Sequence, residues 1–404
     1  MTDAPRHQRY LGDKGVVALV ALLSAFVPLS TDLYLPALPT MGDYFSVSVH
    51  LTNLTLILFF LFFSAGLLFW GPLSDKYGRR PVLLVGLTIY ILASGACALS
   101  ESIYLLILSR ILQAIGGSAA SAVATAMVKD LFDGRQRESV LAVVQSMVVI
   151  APAVAPVLGA YMLTFTSWRG IFWTLAGIGL FSMAGVLVLE ETLAHRYTGS
   201  VVMVLGRLGT VLKNPGFTSL LLTFSLVSTA SLSFVAASSY IYQDGFGLSE
   251  QGFSYFFALN AFGLIAGPLL YIRLSRSFNR NGIVTACFAG MALSGGLVCW
   301  LGDLGPWAFA LSLLPASILG SGVRPAGAHL MLEQQKGDTG SASALIGCSG
   351  LLLGSVGMIL ISQDWPDPVL ALGLVNLVIG LLCGALWLLI GRLKIARDVP
   401  DSVR

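Results

Sequence analysis

Gly71-Pro72-Leu73-Ser74-Asp75-Lys76-Tyr77-Gly78-Arg79-Arg80-Pro81 separates two long apolar runs with a gap too short to form a domain. Two glycines and two prolines, the residues that end helices, fall inside this short gap. The spacing predicts a tight turn joining two membrane-crossing helices. Its three cations mark the cytoplasmic side of the membrane. One carboxylate, Asp75, set among Lys76, Arg79 and Arg80 points to a built interaction rather than a merely polar loop.

On both sides of the turn the chain stays apolar. Hydrophobic residues make up 56% of the 404 positions and charged ones only 11%, where a soluble protein carries about 25%. The apolar runs are long enough to cross a hydrocarbon core of about 30 Å. They are also too long and too uniform for the alternating strands of a membrane barrel. The expected fold class is therefore an all-α membrane protein. The first run, Val16 to Leu38, is too long for a secretory leader and lacks a small-residue cleavage site, so it is expected to stay as the first span.

Twelve spans follow from this reading, at 15–38, 51–71, 81–99, 103–128, 139–164, 170–189, 216–241, 252–273, 283–301, 307–331, 341–362 and 368–391. They divide the chain into a six-helix bundle at 1–189, a linker at 190–215 and a second six-helix bundle with a short tail at 216–404. The linker holds one apolar piece, Val201 to Leu212, too short to cross and expected to lie in the interface as a short helix. Gly71-Pro72-Leu73 is echoed by Gly267-Pro268-Leu269, and Gly116 by Gly320, as two pseudo-symmetric halves would show. With both termini cytoplasmic, 20 of the 23 Lys and Arg residues collect on one side, Arg6, Lys336, Arg397 and Arg404 among them. The other side keeps Arg169, while Arg110 and Arg324 lie inside spans.

Charges inside spans are expensive and are kept for function. Asp32 in span one and Arg110 in span four both lie roughly 10 Å inside the outer boundary at 1.5 Å per residue. Opposite charges at one depth in one bundle are expected to share a cavity. Asp32 is then the leading proton-coupling carboxylate. Arg110, always protonated, tunes it or holds a carbonyl network. Gln113, one turn on from Arg110, faces the same way. Arg324, beside Pro325, either binds a polar or anionic substrate group or pairs with a carbonyl freed by Pro325 or by Gly320-Ser321-Gly322. Tyr34 and Asn260 join Gln113 and Arg324 as candidate cavity residues. In span five, Pro152 and Pro156 sit a turn apart before Gly159, a pattern that kinks a helix and lets another approach closely. The five cysteines stand singly, with no Cys/His cluster, so neither a metal site nor a disulfide framework is expected.

The turn at 71–81 resembles the signature between spans two and three of the major facilitator superfamily, with Gly71, Asp75, Gly78, Arg79 and Arg80 in place. Arg110 with Gln113 and Gly116 resembles that family's span-four proton-relay motif, and Pro152 to Gly159 its span-five antiporter motif. Thr31-Asp32-Leu33-Tyr34-Leu35-Pro36 is similar to the first span of twelve-span drug:H⁺ antiporters. Together with Trp168-Arg169-Gly170-Ile171-Phe172 and Phe253-Ser254-Tyr255-Phe256-Phe257-Ala258-Leu259-Asn260, the pattern resembles the bicyclomycin/chloramphenicol-resistance branch. Span five departs from it at Ala155 and Ala160, where glycine is usual, and Arg324 is foreign to the branch.

The resemblance implies a proton-coupled exporter of small amphipathic compounds, in a bacterial inner membrane, working by alternating access without a cofactor. Protons, a small-molecule substrate and the bilayer are the expected partners, nucleic acid is not, and a monomer suffices. Asp75 is expected to latch a conformational gate, by accepting from a facing helix N-terminus or by pairing with Arg135 or Arg137. A specific metabolite exporter or proton symporter of the same fold is the nearest alternative. A membrane-embedded enzyme or a sensor is a remote one, lacking a catalytic cluster or an output domain.

Overall fold

The computed structural model describes residues 8–199, 201–335 and 339–396. Arg6, Lys336, Arg397 and Arg404, assigned above to the basic side, lie outside the described residues, as does the tail beyond Ala396. The described chain is helical. Span one is made of α1 (Gly12–Ser24), α2 (Phe26–Asp32), a 3-10 turn (Leu35–Ala37) and α3 (Leu38–Phe45). Spans two to six are α4 (Val49–Tyr77), α5 (Arg79–Ala98), α6 (Ile103–Leu131), α7 (Gly134–Met162) and α8 (Trp168–Val188). The linker helix α9 (Val201–Leu212) takes the predicted bounds. Spans seven to twelve are α10 (Pro215–Tyr240), α11 (Glu250–Leu274), α12 (Arg280–Leu301), α13 (Pro306–Glu333), α14 (Thr339–Ile361) and α15 (Pro368–Leu393). All twelve spans are long and apolar enough to cross a bilayer. Their outer faces carry Leu92, Phe181, Leu293 and Trp300, each more than two-thirds exposed. Such a belt is stable only where hydrocarbon replaces water.

Two sequence expectations need correction. Span one is not continuous over 15–38. Pro28 has no N–H for the Ser24 carbonyl and Pro36 none for that of Asp32, so the helix breaks at Ala25 and again after Asp32. The segment 71–81 is not a turn throughout, because α4 runs on to Tyr77 with Pro72 inside it. A single residue makes the turn. Gly78, at φ 107°, holds a backbone conformation that a side chain would strain, and α5 starts at the next position.

The chain divides into two compact units. The first comprises residues 1–37, 43–47 and 54–205; the second comprises 38–42, 48–53 and 206–404. Each unit repeats one pairing scheme. In the first, α5 packs on α6 and α8, and α2 on α7. In the second, α12 packs on α13 and α15, and α10 on α14. The shared scheme is firmer than the sequence echo. Gly267 lies where α11 meets α13 at Ser321 and Gly322, whereas Gly71 faces open space.

Candidate functional site

Arg110 has no exposed surface, and groups from α2, α4, α6 and α8, with Tyr34 from the break in span one, converge on it. Its Nη1 donates to the Ser30 carbonyl of α2 at 2.8 Å and to Gln113 Oε1 at 2.5 Å. Its Nε donates to the Thr55 carbonyl of α4 at 3.4 Å. The guanidinium carbon lies 4.2 Å from the ring centre of Phe59, 4.6 Å from that of Tyr34 and 5.8 Å from that of Phe172 in α8. Burying such a cation costs several kcal/mol. Charge-assisted hydrogen bonds, at about 1.5–3 kcal/mol each, and a desolvated cation–π contact, at about 2 kcal/mol, offset it. Of its three nitrogens only Nη2, also buried, has no hydrogen-bond partner among the described residues.

Polar side chains continue outward from the arginine. Gln113 Nε2 donates to Ser94 Oγ of α5 at 2.8 Å, and Ser94 donates to the Tyr90 carbonyl at 2.7 Å. The hydroxyls of Tyr90 and Ser30 share a bond of 2.7 Å, and those of Tyr34 and Thr55 one of 3.0 Å. Tyr34 and Gln113, expected as cavity residues, are thus buried members of this network.

Asp32 is also buried, at the end of α2 and two residues beyond the Ser30 carbonyl that Arg110 holds. Among the described residues it forms no ion pair with Arg110 or with any other cation; its Oδ1 accepts from the Thr31 hydroxyl at 2.9 Å. The proline-made break explains this placement, since Pro36 leaves the Asp32 carbonyl without a helical donor. The span-five motif meets the same point. A Cβ on Gly159 would collide with the Leu33 carbonyl, so the glycine is what lets α7 reach the chain beside Asp32. Pro152 and Pro156 lie inside α7, and Pro156 is buried.

A second constellation surrounds the α4–α5 turn. Arg79 donates to Asp75 Oδ1 at 2.5 Å, to Ser74 Oγ at 2.6 Å and to Asp130 Oδ2 of α6 at 2.8 Å. Asp75 therefore pairs with Arg79 rather than with Arg135 or Arg137, and Arg137 pairs with Asp133. Arg80 reaches the carbonyls of Val186 and Leu187 at the end of α8. The Glu191 carboxylate accepts the backbone N–H of Arg79 at 2.9 Å and of Arg80 at 3.3 Å. It thereby caps an α5 N-terminus that Gly78 cannot cap with a side chain.

Sequence reasoning missed Asp130 and Glu191. Asp130 had a signal: a carboxylate in the last turn of a helix opposes the macrodipole and calls for a cation. In the second unit, Asn260 of α11 accepts from Ser317 of α13 at 2.9 Å, and Arg324 is exposed.

The family profile of the Major Facilitator Superfamily matches residues 20–358. This chain belongs to that superfamily of transporters. It is 32% identical over 375 residues to an uncharacterized MFS-type transporter, YdgK, of Bacillus subtilis, covering 90% of this chain and 92% of that one. It is 31% identical over 386 residues to the chloramphenicol resistance protein of Pseudomonas aeruginosa, covering 91% and 90%. Among solved structures, a D-xylose-proton symporter superposes with a TM-score of 0.73 at 13% identity, over 96% of this chain and 99% of that one, a likeness of fold. Within the superfamily, the chain falls in the bicyclomycin/chloramphenicol-resistance branch of drug:H⁺ antiporters, as its motifs led us to expect.

Proposed function

We propose that this chain exports small amphipathic compounds, antibiotics among them, in exchange for protons across a bacterial inner membrane. Both termini face the cytoplasm, the monomer is the working unit, and the proton gradient replaces any cofactor. The observation that carries this reading is Asp32: a buried carboxyl with no counter-ion among the described residues, at a break in its helix. A carboxylate in that setting is far costlier than a carboxylic acid, so its charge and its access to water change together. Arg110 keeps the surrounding carbonyls and hydroxyls in place while the proton comes and goes. Gly159 lets α7 bear on the break, which couples helix movement to the carboxyl.

The test uses cells lacking their own efflux pumps. Expression of the chain is expected to lower chloramphenicol accumulation, and a protonophore to restore it. Accumulation that is low in the presence of the protonophore would sink proton-driven export.

A further inference from the structure

The second unit carries a charged group that the coupling chemistry leaves unused. Arg324 lies nine residues before Glu333, the last residue of α13. At 1.5 Å per residue the 28-residue helix is about 42 Å long, so in a hydrocarbon core about 30 Å thick centred on it Arg324 lies about 8 Å inside the inner boundary. Its side chain is exposed, yet it meets no carboxylate, carbonyl or aromatic ring among the described residues. Pro325 leaves the Ser321 carbonyl without its helical donor, and Arg324 does not take that carbonyl either.

The face it occupies is not the lipid face. On α13 the exposed apolar stripe runs through Trp307 and Leu311, and at 100° per residue Arg324 stands about 140° round from Leu311. Ser317, two turns earlier on the arginine's own face, bonds Asn260 of α11. Ser321 bonds the Gly263 carbonyl of α11, and Gly327 packs on Phe224 of α10. Arg324 therefore opens between the α10-facing and α11-facing sides of its helix. A free guanidinium at this depth is costly unless water reaches it and a ligand completes it.

We propose that Arg324 binds an oxyanion of the transported molecule, a carboxylate in the simplest case, so that amphipathic organic anions are a cargo class of this protein. The assignment rests on the export reading above. Physically it follows from the guanidinium itself, which offers two parallel N–H donors to one carboxylate and keeps its charge at every working pH. A lipid phosphate has the same oxyanion chemistry and is the other source to be tested.

Equilibrium binding to the purified full-length protein in phosphatidylcholine nanodiscs reads this directly. The probes are chloramphenicol and its hemisuccinate ester, which adds one carboxylate. The parent is expected to bind the hemisuccinate at least ~10-fold tighter than chloramphenicol. Arg324→Gln should erase that preference, while Arg324→Lys, which keeps a point charge, should retain part of it. Equal binding of the two probes by the parent, or a preference that survives in Arg324→Gln, overturns the proposal. The same comparison in phosphate-free dodecyl maltoside, with and without added short-chain phosphatidylglycerol, separates the two sources: a preference that the lipid leaves in place supports cargo recognition, and one that the lipid abolishes gives the arginine to lipid phosphate and overturns the cargo assignment. The protonophore experiment fails independently: a parent that exports nothing can still show, or lack, the arginine-dependent preference.

Discussion

Arg110 holds its surroundings through the shape of its guanidinium as much as through its charge. One nitrogen bonds both the Ser30 carbonyl and Gln113, another reaches the Thr55 carbonyl, and the plane lies among three rings. A lysine ammonium keeps the charge but cannot satisfy these partners at once. Arg110→Lys is therefore expected to fold and to transport at least ~10-fold more slowly, the loss of one charge-assisted bond. Initial rates of proton-driven uptake into inverted vesicles check this, and a rate within twofold of the parent would contradict it. The arginine was legible because a charge inside an apolar run stands out in any sequence. That it meets carbonyls rather than Asp32 was not, since backbone acceptors leave no trace in residue type.

At the scale of elements, the α4–α5 turn is stapled from three sides: Asp130 at the end of α6, Glu191 after α8, and Asp75 one turn back in α4. Their weights differ with burial. The Asp75 side chain is 49% exposed, and an i,i+4 pair that open to solvent is worth at most about 1 kcal/mol. Asp130 is 18% exposed and holds the same buried arginine from another helix. Losing its charge leaves the buried guanidinium with only the half-exposed Asp75 as a paired carboxylate, a larger loss than that of the Asp75 pair. Asp130→Asn is thus expected to lower the thermal midpoint in detergent clearly more than Asp75→Asn, as intrinsic fluorescence would report. Equal shifts would contradict this ranking. The motif at 71–81 announced a turn and a charged contact, because glycine, proline and clustered cations act locally. Its partners were hidden because Asp130 and Glu191 lie far along the chain, where each reads as an ordinary charge at a helix end. The break in span one was written in Pro28 and Pro36, but the apolar run around them reads as one uninterrupted span.

Across the whole molecule, twelve apolar runs and a one-sided distribution of cations were enough to fix the architecture, since hydrocarbon permits few alternatives. The repeated pairing scheme of the two units was far fainter, because small-residue contacts such as Gly86 with Gly116 and Gly295 with Gly373 need only matching shapes. Asp32 is the residue proposed to carry the coupled proton. Asp32→Asn removes the titrating group while keeping its size, so the change should separate substrate movement from proton movement. In proteoliposomes loaded with chloramphenicol, the parent is expected to accelerate drug flux when a pH gradient is imposed. The variant is expected to exchange drug at equilibrium and show no acceleration. Gradient-driven flux in Asp32→Asn equal to the parent's would contradict the account.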